Sequence, residues 1–135
     1  MNPWMHCSIN NESSYDLILV DKSVGGSRNY RWNTEPPAKI PAKTAMNGVY
    51  DTMADDAVWG YVSCQAVYDV SVDGFVVRVT LSGTANDHPA GGSGASWTIT
   101  KDGKPKDKIL NVYQNPKSPH GREITVTWTI REWPD

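Results

Sequence analysis

Two arginines and two amphipathic rings stand together in the segment GGSRNYRW, residues 25–32. Arg28 and Arg31 each carry a planar guanidinium group that can donate two hydrogen bonds to one phosphate. Tyr30 and Trp32 offer ring faces that attract a quaternary ammonium group by cation–π interaction. A phospholipid head group carries both charges and would suit all four side chains. An ordinary strand end whose arginines face water explains the same residues equally well.

Nearly every aromatic ring of the chain has a polar group, since six Trp and six Tyr accompany a single Phe. Such rings are favoured at binding surfaces and at membrane–water interfaces, where one end is apolar and the other is wet. We therefore predict that rings at loop tips, beside Arg28 or Arg31, bind lipid head groups. The ring candidates are Tyr30, Trp32, Trp59, Tyr61, Trp97 and Tyr113. Packing in the core is the alternative for any single Trp, and Trp128 is the clearest core candidate.

Residues typical of catalysis and metal binding lack the spacing that those functions need. The three histidines have no Cys, His or carboxylate partner at metal-ligand spacing, so no metal or cofactor is expected. The segment GGSGAS, residues 91–96, lacks the G-x-S-x-G pattern of a nucleophile elbow. Asp55 and Asp56 are adjacent and would point in opposite directions on an extended chain. The sequence therefore indicates that the protein is not an enzyme.

Charge and composition exclude several classes of partner. A net charge of −2 does not supply the concentration of Lys and Arg that a nucleic-acid surface needs. No signal peptide is visible, and no apolar run approaches the ~20 residues that span a bilayer. Cys7 and Cys64 are interpreted as buried thiols in a reducing compartment, with a disulfide between them as the alternative. We expect a soluble protein, cytoplasmic or released by a non-classical route, that acts at a target membrane surface.

Alternation of apolar and polar residues dominates the chain and predicts strands. The clearest is EITVTWTIR, residues 123–131. Further strands are predicted over residues 13–21, 45–53, 59–72, 74–81, 95–102 and 108–115. The strand at 13–21 is expected to be buried on both faces, and Asp-Gly at 73–74 predicts a hairpin. A GKPK turn joins the last two strands, and turn-rich breaks are predicted at 23–29, 86–94 and 115–121.

A proline-rich connector interrupts this pattern between residues 32 and 41. Pro36, Pro37 and Pro41 fix φ and lack an N–H, so they exclude helix and cannot lie inside a paired central strand. Ile40 is the apolar anchor of this stiff, extended segment. About seven short strands with Gly/Pro turns predict an all-β sandwich or barrel, and no linker divides the chain. Residues 1–135 are therefore expected to form a single domain.

The order of these features resembles the aegerolysins, small acidic β-sandwich proteins similar in fold to the actinoporins. The resemblance covers about residues 9–132. The matching segments are INNESSYDLILV (9–20), WNTEPPAKIPAKT (32–44), VWGYVSCQAVYDV (58–70), HPAGGSGASWTI (88–99) and GREITVTWTIRE (121–132).

The resemblance implies an antiparallel β-sandwich that docks reversibly on sphingolipid-containing membranes. Some relatives supply the recognition half of a two-component cytolysin and recruit a larger perforin-like partner. Two other functions fit the same aromatic surface: a lectin-like carbohydrate-binding module, since Trp and Tyr faces stack on sugars, and a protein-binding toxin or effector component.

Overall fold

Ten strands occur in the part of the chain described by the structure, a computed structural model covering residues 2–44, 49–55, 58–72, 74–87, 93–102, 110–117 and 122–132. In chain order they are β1 (Trp4–Asn11), β2 (Leu17–Gly26), β3 (Arg31–Thr34), β4 (Lys39–Ile40), β5 (Tyr50–Met53), β6 (Tyr61–Val72), β7 (Phe75–Asn86), β8 (Gly94–Asp102), β9 (Leu110–Lys117) and β10 (Glu123–Glu132). Within these ranges no helix is long and apolar enough to cross a membrane.

The strands form two five-stranded sheets that enclose the core. Sheet 1 has the order β3-β5-β1-β10-β9, and sheet 2 has the order β4-β2-β6-β7-β8. The all-β prediction is confirmed. Neighbouring strands are antiparallel except β1 and β10, which run parallel from the Trp4–Glu123 pair to the Asn11–Ile130 pair.

The aromatic residues of sheet 1 form the centre of the core. Trp128 is fully buried, as predicted, and its ring stacks on Tyr50 with centroids 6.4 Å apart. The Trp128 indole Nε1 donates to Gln114 Oε1 at 3.0 Å, so its polar atom is satisfied. Removing a ring of this size from water contributes about 4–6 kcal/mol.

The proline connector leads from β3 at the edge of sheet 1 to β4 at the edge of sheet 2. Ile40 is fully buried and belongs to the two-residue strand β4, which pairs only with Leu17 and Ile18. The Tyr68 hydroxyl donates to the Pro37 carbonyl at 2.8 Å. The connector is thus held by one apolar anchor and one hydrogen bond, and no proline of the connector lies in a central strand.

The buried side chain of Asn11 joins the two sheets at this end. Its Nδ2 lies 2.7 Å from the Tyr15 carbonyl oxygen, 3.3 Å from that of Ile40 and 3.1 Å from that of Pro41. Its Oδ1 accepts hydrogen bonds from the Ser13 amide at 3.1 Å and the Ser13 hydroxyl at 2.6 Å. Because Asn11 ends β1 in sheet 1 and Ile40 lies in sheet 2, one amide ties both layers together.

The second strand differs from its prediction. β2 begins at Leu17 and continues to Gly26, so it runs into the break predicted at 23–29. Leu17 is buried, but Ile18 is 44% exposed and Val20 is 46% exposed. Burial on both faces is therefore wrong, because no further layer of the described residues covers these two side chains.

Two further parts of the chain divide between the sheets. Residues 9–20, the first segment of the family resemblance, contain the end of β1 and the start of β2, which lie in different sheets. β8 and β9 also lie in different sheets. The predicted GKPK turn lies outside the described residues.

The remaining predicted strands are found with different bounds. The strands at 59–72 and 123–131 correspond to β6 and β10, and the strand at 74–81 corresponds to β7, which continues five residues further to Asn86. The strands at 95–102 and 108–115 correspond to β8 and β9, and β6 and β7 pair as a hairpin. The strand at 45–53 is represented by β5, and its residues 45–48 lie outside the described part of the chain.

Replacing Asn11 with Asp should test the junction between the sheets. The substitution keeps the shape of the side chain but turns a carboxylate oxygen toward carbonyl oxygens, so we expect a loss of about 2–4 kcal/mol in the free energy of unfolding. Urea denaturation at pH 7 measures it. Asn115→Asp, at an exposed position on β9, is the matched control and should change stability by less than about 0.5 kcal/mol. Equal effects at the two positions would contradict the assignment.

Stability should fall at alkaline pH because of Tyr68. Burial raises the pKa of Tyr68 well above its usual value of 10.0. The unfolded tyrosine therefore ionises first as pH rises, and stability that is fully present below pH 10 is lost above it. Tyr68→Phe should cost about 1 kcal/mol at pH 8, where it removes the bond to Pro37, and less at pH 11. Urea denaturation at both pH values measures the difference, and a cost that grows with pH would contradict the argument.

Candidate functional site

Two turns are hydrogen-bonded to each other at the end of the sandwich opposite Asn11. The Ser27 amide donates to the Tyr61 carbonyl at 2.9 Å, and the Tyr61 amide donates to the Ser27 hydroxyl at 3.2 Å. The Asp55 amide donates to the Arg28 carbonyl at 2.7 Å. These bonds fix the turn between β2 and β3 beside the segment that leads from β5 into β6.

Gly26 allows the two turns to approach this closely. A Cβ at this position would lie 2.5 Å from the Tyr61 carbonyl oxygen and 3.2 Å from the Cβ of Tyr30. Any side chain would therefore force the turns apart. Because Gly26 has no side chain, Tyr30 and Tyr61 can lie next to each other.

Four large apolar or amphipathic side chains are exposed at this end: Tyr30, Val58, Trp59 and Tyr61. We call this group the aromatic tip. Exposure reaches 85% for Val58, 52% for Trp59, 50% for Tyr30 and 42% for Tyr61. Neighbouring aromatic and aliphatic side chains in contact with water at one place are typical of a surface that meets a partner. Sequence reasoning missed Val58, although its position in the dipeptide Val-Trp before Gly60 is a signal for an apolar turn.

Trp59 has an unusual backbone conformation. Its φ of 60° lies in the left-handed region, which costs about 1–2 kcal/mol for a residue with a side chain. Asn29 in the neighbouring turn has a φ of 53°, but asparagine tolerates this region well. Non-glycine residues in this region cluster at functional sites.

Charged groups beside the tip are arranged around Asp55. Its Oδ2 accepts from Asn29 Nδ2 at 2.8 Å, and its Oδ1 accepts from Arg31 Nη1 at 3.1 Å. The hydrogen bond from Asn29, with the bond and charge of Arg31, lowers the pKa of Asp55 below its usual value. The charge of Arg31 is therefore largely balanced. Arg28 is exposed, and its guanidinium acts on Asp55 only through its field, so it is the better placed of the two for an incoming anion.

Five of the eight predicted site residues meet at this end, and three do not contribute an exposed ring to it. Trp32 is half-buried and packs edge-on against Tyr50 at 6.0 Å, so its ring belongs to the core. Trp97 pairs with Leu81, which lies five residues before the end of β7. Because the end of β7 pairs with Tyr61, Trp97 is about 17 Å from the tip along the strand. Tyr113 lies on the outer face of sheet 1, with the Arg131 guanidinium 4.5 Å from its ring centroid. The eight residues therefore do not share a single surface.

A polar groove of about 390 Å³ runs from near the tip over the outer face of sheet 2. Its lining is rich in hydroxyl groups, and it carries the amide of Gln65. Ser63 and Thr84 share a hydrogen bond of 2.9 Å, and Gln65 Nε2 donates to the Ser82 hydroxyl at 3.2 Å. Tyr61 is two residues before Ser63 on β6, so its ring lies on the same face at the end of the groove.

In the described ranges, no group of three or more His, Cys, Asp or Glu side chains could hold a metal ion. His6 interacts with Glu123, with Nε2 and Oε1 2.9 Å apart, and its ring lies 4.2 Å from that of Trp4. The other two histidines lie outside the described part of the chain.

A comparison with known protein families finds no family model that matches, and a comparison with curated proteins finds no match.

The conformation of Trp59 should be detectable as a difference between two substitutions. Trp59→Gly and Trp59→Ala remove the same ring, but only glycine adopts a φ of 60° without steric cost. We expect the glycine variant to unfold with a free energy about 1 kcal/mol higher than the alanine variant. The same pair at Trp97, inside strand β8, should show the reverse order, because glycine weakens a strand. Chemical denaturation measures the free energy of unfolding of the four variants. If Trp59→Ala is as stable as Trp59→Gly, the backbone of residue 59 is not strained.

Proposed function

We propose that the protein binds the surface of lipid bilayers through the aromatic tip. The observation that carries this proposal is the concentration of four exposed apolar or amphipathic side chains at one end of the sandwich, beside the exposed Arg28. Tyrosine and tryptophan are favoured where hydrocarbon meets water, because the ring is apolar and its N–H or O–H stays hydrated. Val58, the most exposed of the four side chains, is suited to the more apolar side of that boundary.

Backbone hydrogen bonds hold the two turns that carry the tip against each other. Both turns are fixed by backbone hydrogen bonds between Ser27 and Tyr61 and between Arg28 and Asp55. A surface that is already ordered loses less conformational freedom on binding, so more of the burial energy appears as affinity. Each ring that enters the interface contributes on the order of 1–2 kcal/mol from apolar area removed from water.

The charges beside the tip favour a head group that carries a phosphate and a quaternary ammonium. Arg28 can donate two hydrogen bonds to a phosphate, while the faces of Tyr30, Trp59 and Tyr61 can attract the ammonium. Head groups of the sphingolipid type combine both. The resemblance of residues 9–132 to the aegerolysins supports the same lipid class and an aegerolysin-like sandwich.

The aegerolysin resemblance also suggests a partner. We propose that the lipid-bound protein is the recognition component of a two-component cytolysin and recruits a larger perforin-like protein. Co-sedimentation of such a partner with vesicles only in the presence of this chain would support that role.

Vesicle binding tests the lipid proposal. Vesicles of phosphatidylcholine with and without sphingomyelin and cholesterol are sedimented with the protein, and the lipid concentration at half-binding is measured. Trp59→Ala should raise that concentration roughly 5- to 30-fold, as expected from the loss of one interfacial ring. Tyr113→Ala is the matched control, because it removes an exposed ring that lies on β9, outside the tip, and it should change binding less than twofold.

Two results would overturn the proposal. The first is an absence of binding to every vesicle composition by a protein whose fold is intact by circular dichroism. The second is a loss of binding on substitution of Tyr113 that equals or exceeds the loss for Trp59.

Carbohydrate binding is the second candidate function, and the groove on sheet 2 favours it. Its hydroxyl and amide lining can exchange hydrogen bonds with sugar hydroxyls, and the ring of Tyr61 at its end can stack on a sugar face. A glycan array separates the candidates: binding to sugars in the absence of lipid, weakened by Gln65→Ala and unaffected by Trp59→Ala, would favour the groove over the tip.

A further inference from the structure

Polar side chains form two rows that cross the outer face of sheet 2. Strands β2, β6, β7 and β8 are paired one after another, so side chains at paired positions lie side by side. The first row is Gly25, Ser63, Thr84 and Gly94, and the second row is Ser23, Gln65, Ser82 and Ser96. Neighbouring strands are about 4.8 Å apart, so each row is about 14 Å long. A ligand that follows a row therefore contacts four strands.

A second depression lengthens the polar groove along these rows. The groove of about 390 Å³ is lined from β2 to β7, and the adjoining depression of about 330 Å³ is lined from β7 to β8. Both include residues 82–84 in their lining. Apart from its chain neighbours, a Cβ added at Gly25 or Gly94 would meet no described atom within 4 Å, so the space at both ends of the first row is open. We call the two depressions together the extended groove.

The hydrogen-bonding groups of the extended groove fit an uncharged ligand with many hydroxyl groups. Neither row contains a charged side chain, so the rows provide no counter-charge for a phosphate or a carboxylate. The Ser63 and Thr84 hydroxyls share one hydrogen bond, which leaves each oxygen with a further lone pair. Gln65 donates to Ser82, and no described residue donates to the Gln65 Oε1. Uncharged sugars carry hydroxyl groups that can bond to both kinds of group.

The extended groove lies at a defined distance from the aromatic tip. Tyr61 of the tip precedes Ser63 of the first row by two residues and Gln65 of the second row by four. At about 3.3 Å per residue, the two rows lie roughly 7 Å and 13 Å from Tyr61 along β6. When the tip rests on a bilayer, β6 leads away from the lipid. Both rows then stand at the height at which sugars attached to lipids extend into water.

We propose that the extended groove binds the uncharged carbohydrate head group of a glycolipid in the same membrane that the aromatic tip contacts. This inference rests on the proposed membrane binding of the tip, and it adds a second lipid to the phospholipid that Arg28 contacts. Binding through the tip raises the effective concentration of the groove near the sugars. A sugar that binds weakly in solution is therefore bound firmly at the membrane.

Vesicle sedimentation tests this linkage. Vesicles of phosphatidylcholine, sphingomyelin and cholesterol are prepared with and without lactosylceramide or galactosylceramide, and the gain is the ratio of the lipid concentrations at half-binding. We expect at least one glycolipid to give a gain of about tenfold or more. Gln65→Ala should reduce that gain about fivefold, as expected for the loss of one hydrogen bond to the sugar. Asn115→Ala, which removes an exposed amide from β9 in sheet 1, is the matched control and should keep the full gain.

The possible failures are distinguishable. Unchanged half-binding with both glycolipids, together with binding to the vesicles that lack them, would overturn this inference and leave the proposed function of the tip in place. An absence of binding to every vesicle would overturn the proposed function and this inference with it. Equal effects of Gln65→Ala and Asn115→Ala would exclude the groove as the sugar site. Free lactose that binds as tightly as lactosylceramide in vesicles would contradict the linkage between groove and tip.

Discussion

The buried amide of Asn11 is the contact on which the alignment of the two sheets depends. It lies where β1 ends and where the proline connector enters sheet 2, and its Nδ2 faces carbonyl oxygens of both segments. A connector rich in proline has carbonyl groups but few N–H donors, because proline supplies none. The side chain of Asn11 supplies the missing donor. Without it, the carbonyl groups at the edge of the core would lose one of their donors, which is costly in a medium of low polarity.

The two ends of the sandwich are built according to different principles. At the Asn11 end, polar groups are buried and satisfied by an internal side chain, and this closes the layers over the core. At the opposite end, the turns are joined by backbone bonds and by the exposed network of Asp55, Asn29 and Arg31, so no core residue is needed to keep them together. Apolar side chains can therefore project from the second end while the fold is secured at the first. This division lets the second end expose aromatic rings without weakening the core.

The sequence predicts the strands well where one face is buried, because alternation with a period of two then records the environment directly. β10 is the clearest example, since Ile124, Val126, Trp128 and Ile130 are all buried. Prediction is poorer where burial comes from distant parts of the chain. The parallel pairing of β1 with β10 joins the two ends of the sequence, and no local pattern indicates it. Ile18 and Val20 on β2 were misjudged for a related reason: apolar residues on an uncovered outer face look the same in sequence as residues covered by a second layer.

The candidate site is harder to predict than the strands. The composition shows that aromatic rings are present, but it does not show which of them face solvent. Trp32 and Trp59 both stand beside turns, yet the first packs on Tyr50 and the second is half exposed. The difference arises from register at Trp32, which lies opposite the buried Thr52, and from a left-handed backbone at Trp59. Sequence rules place such a conformation at the following Gly60, since a tryptophan is disfavoured there. Neither alternation nor propensity distinguishes the two tryptophans, because the orientation of the first depends on its strand partner and that of the second on its backbone conformation.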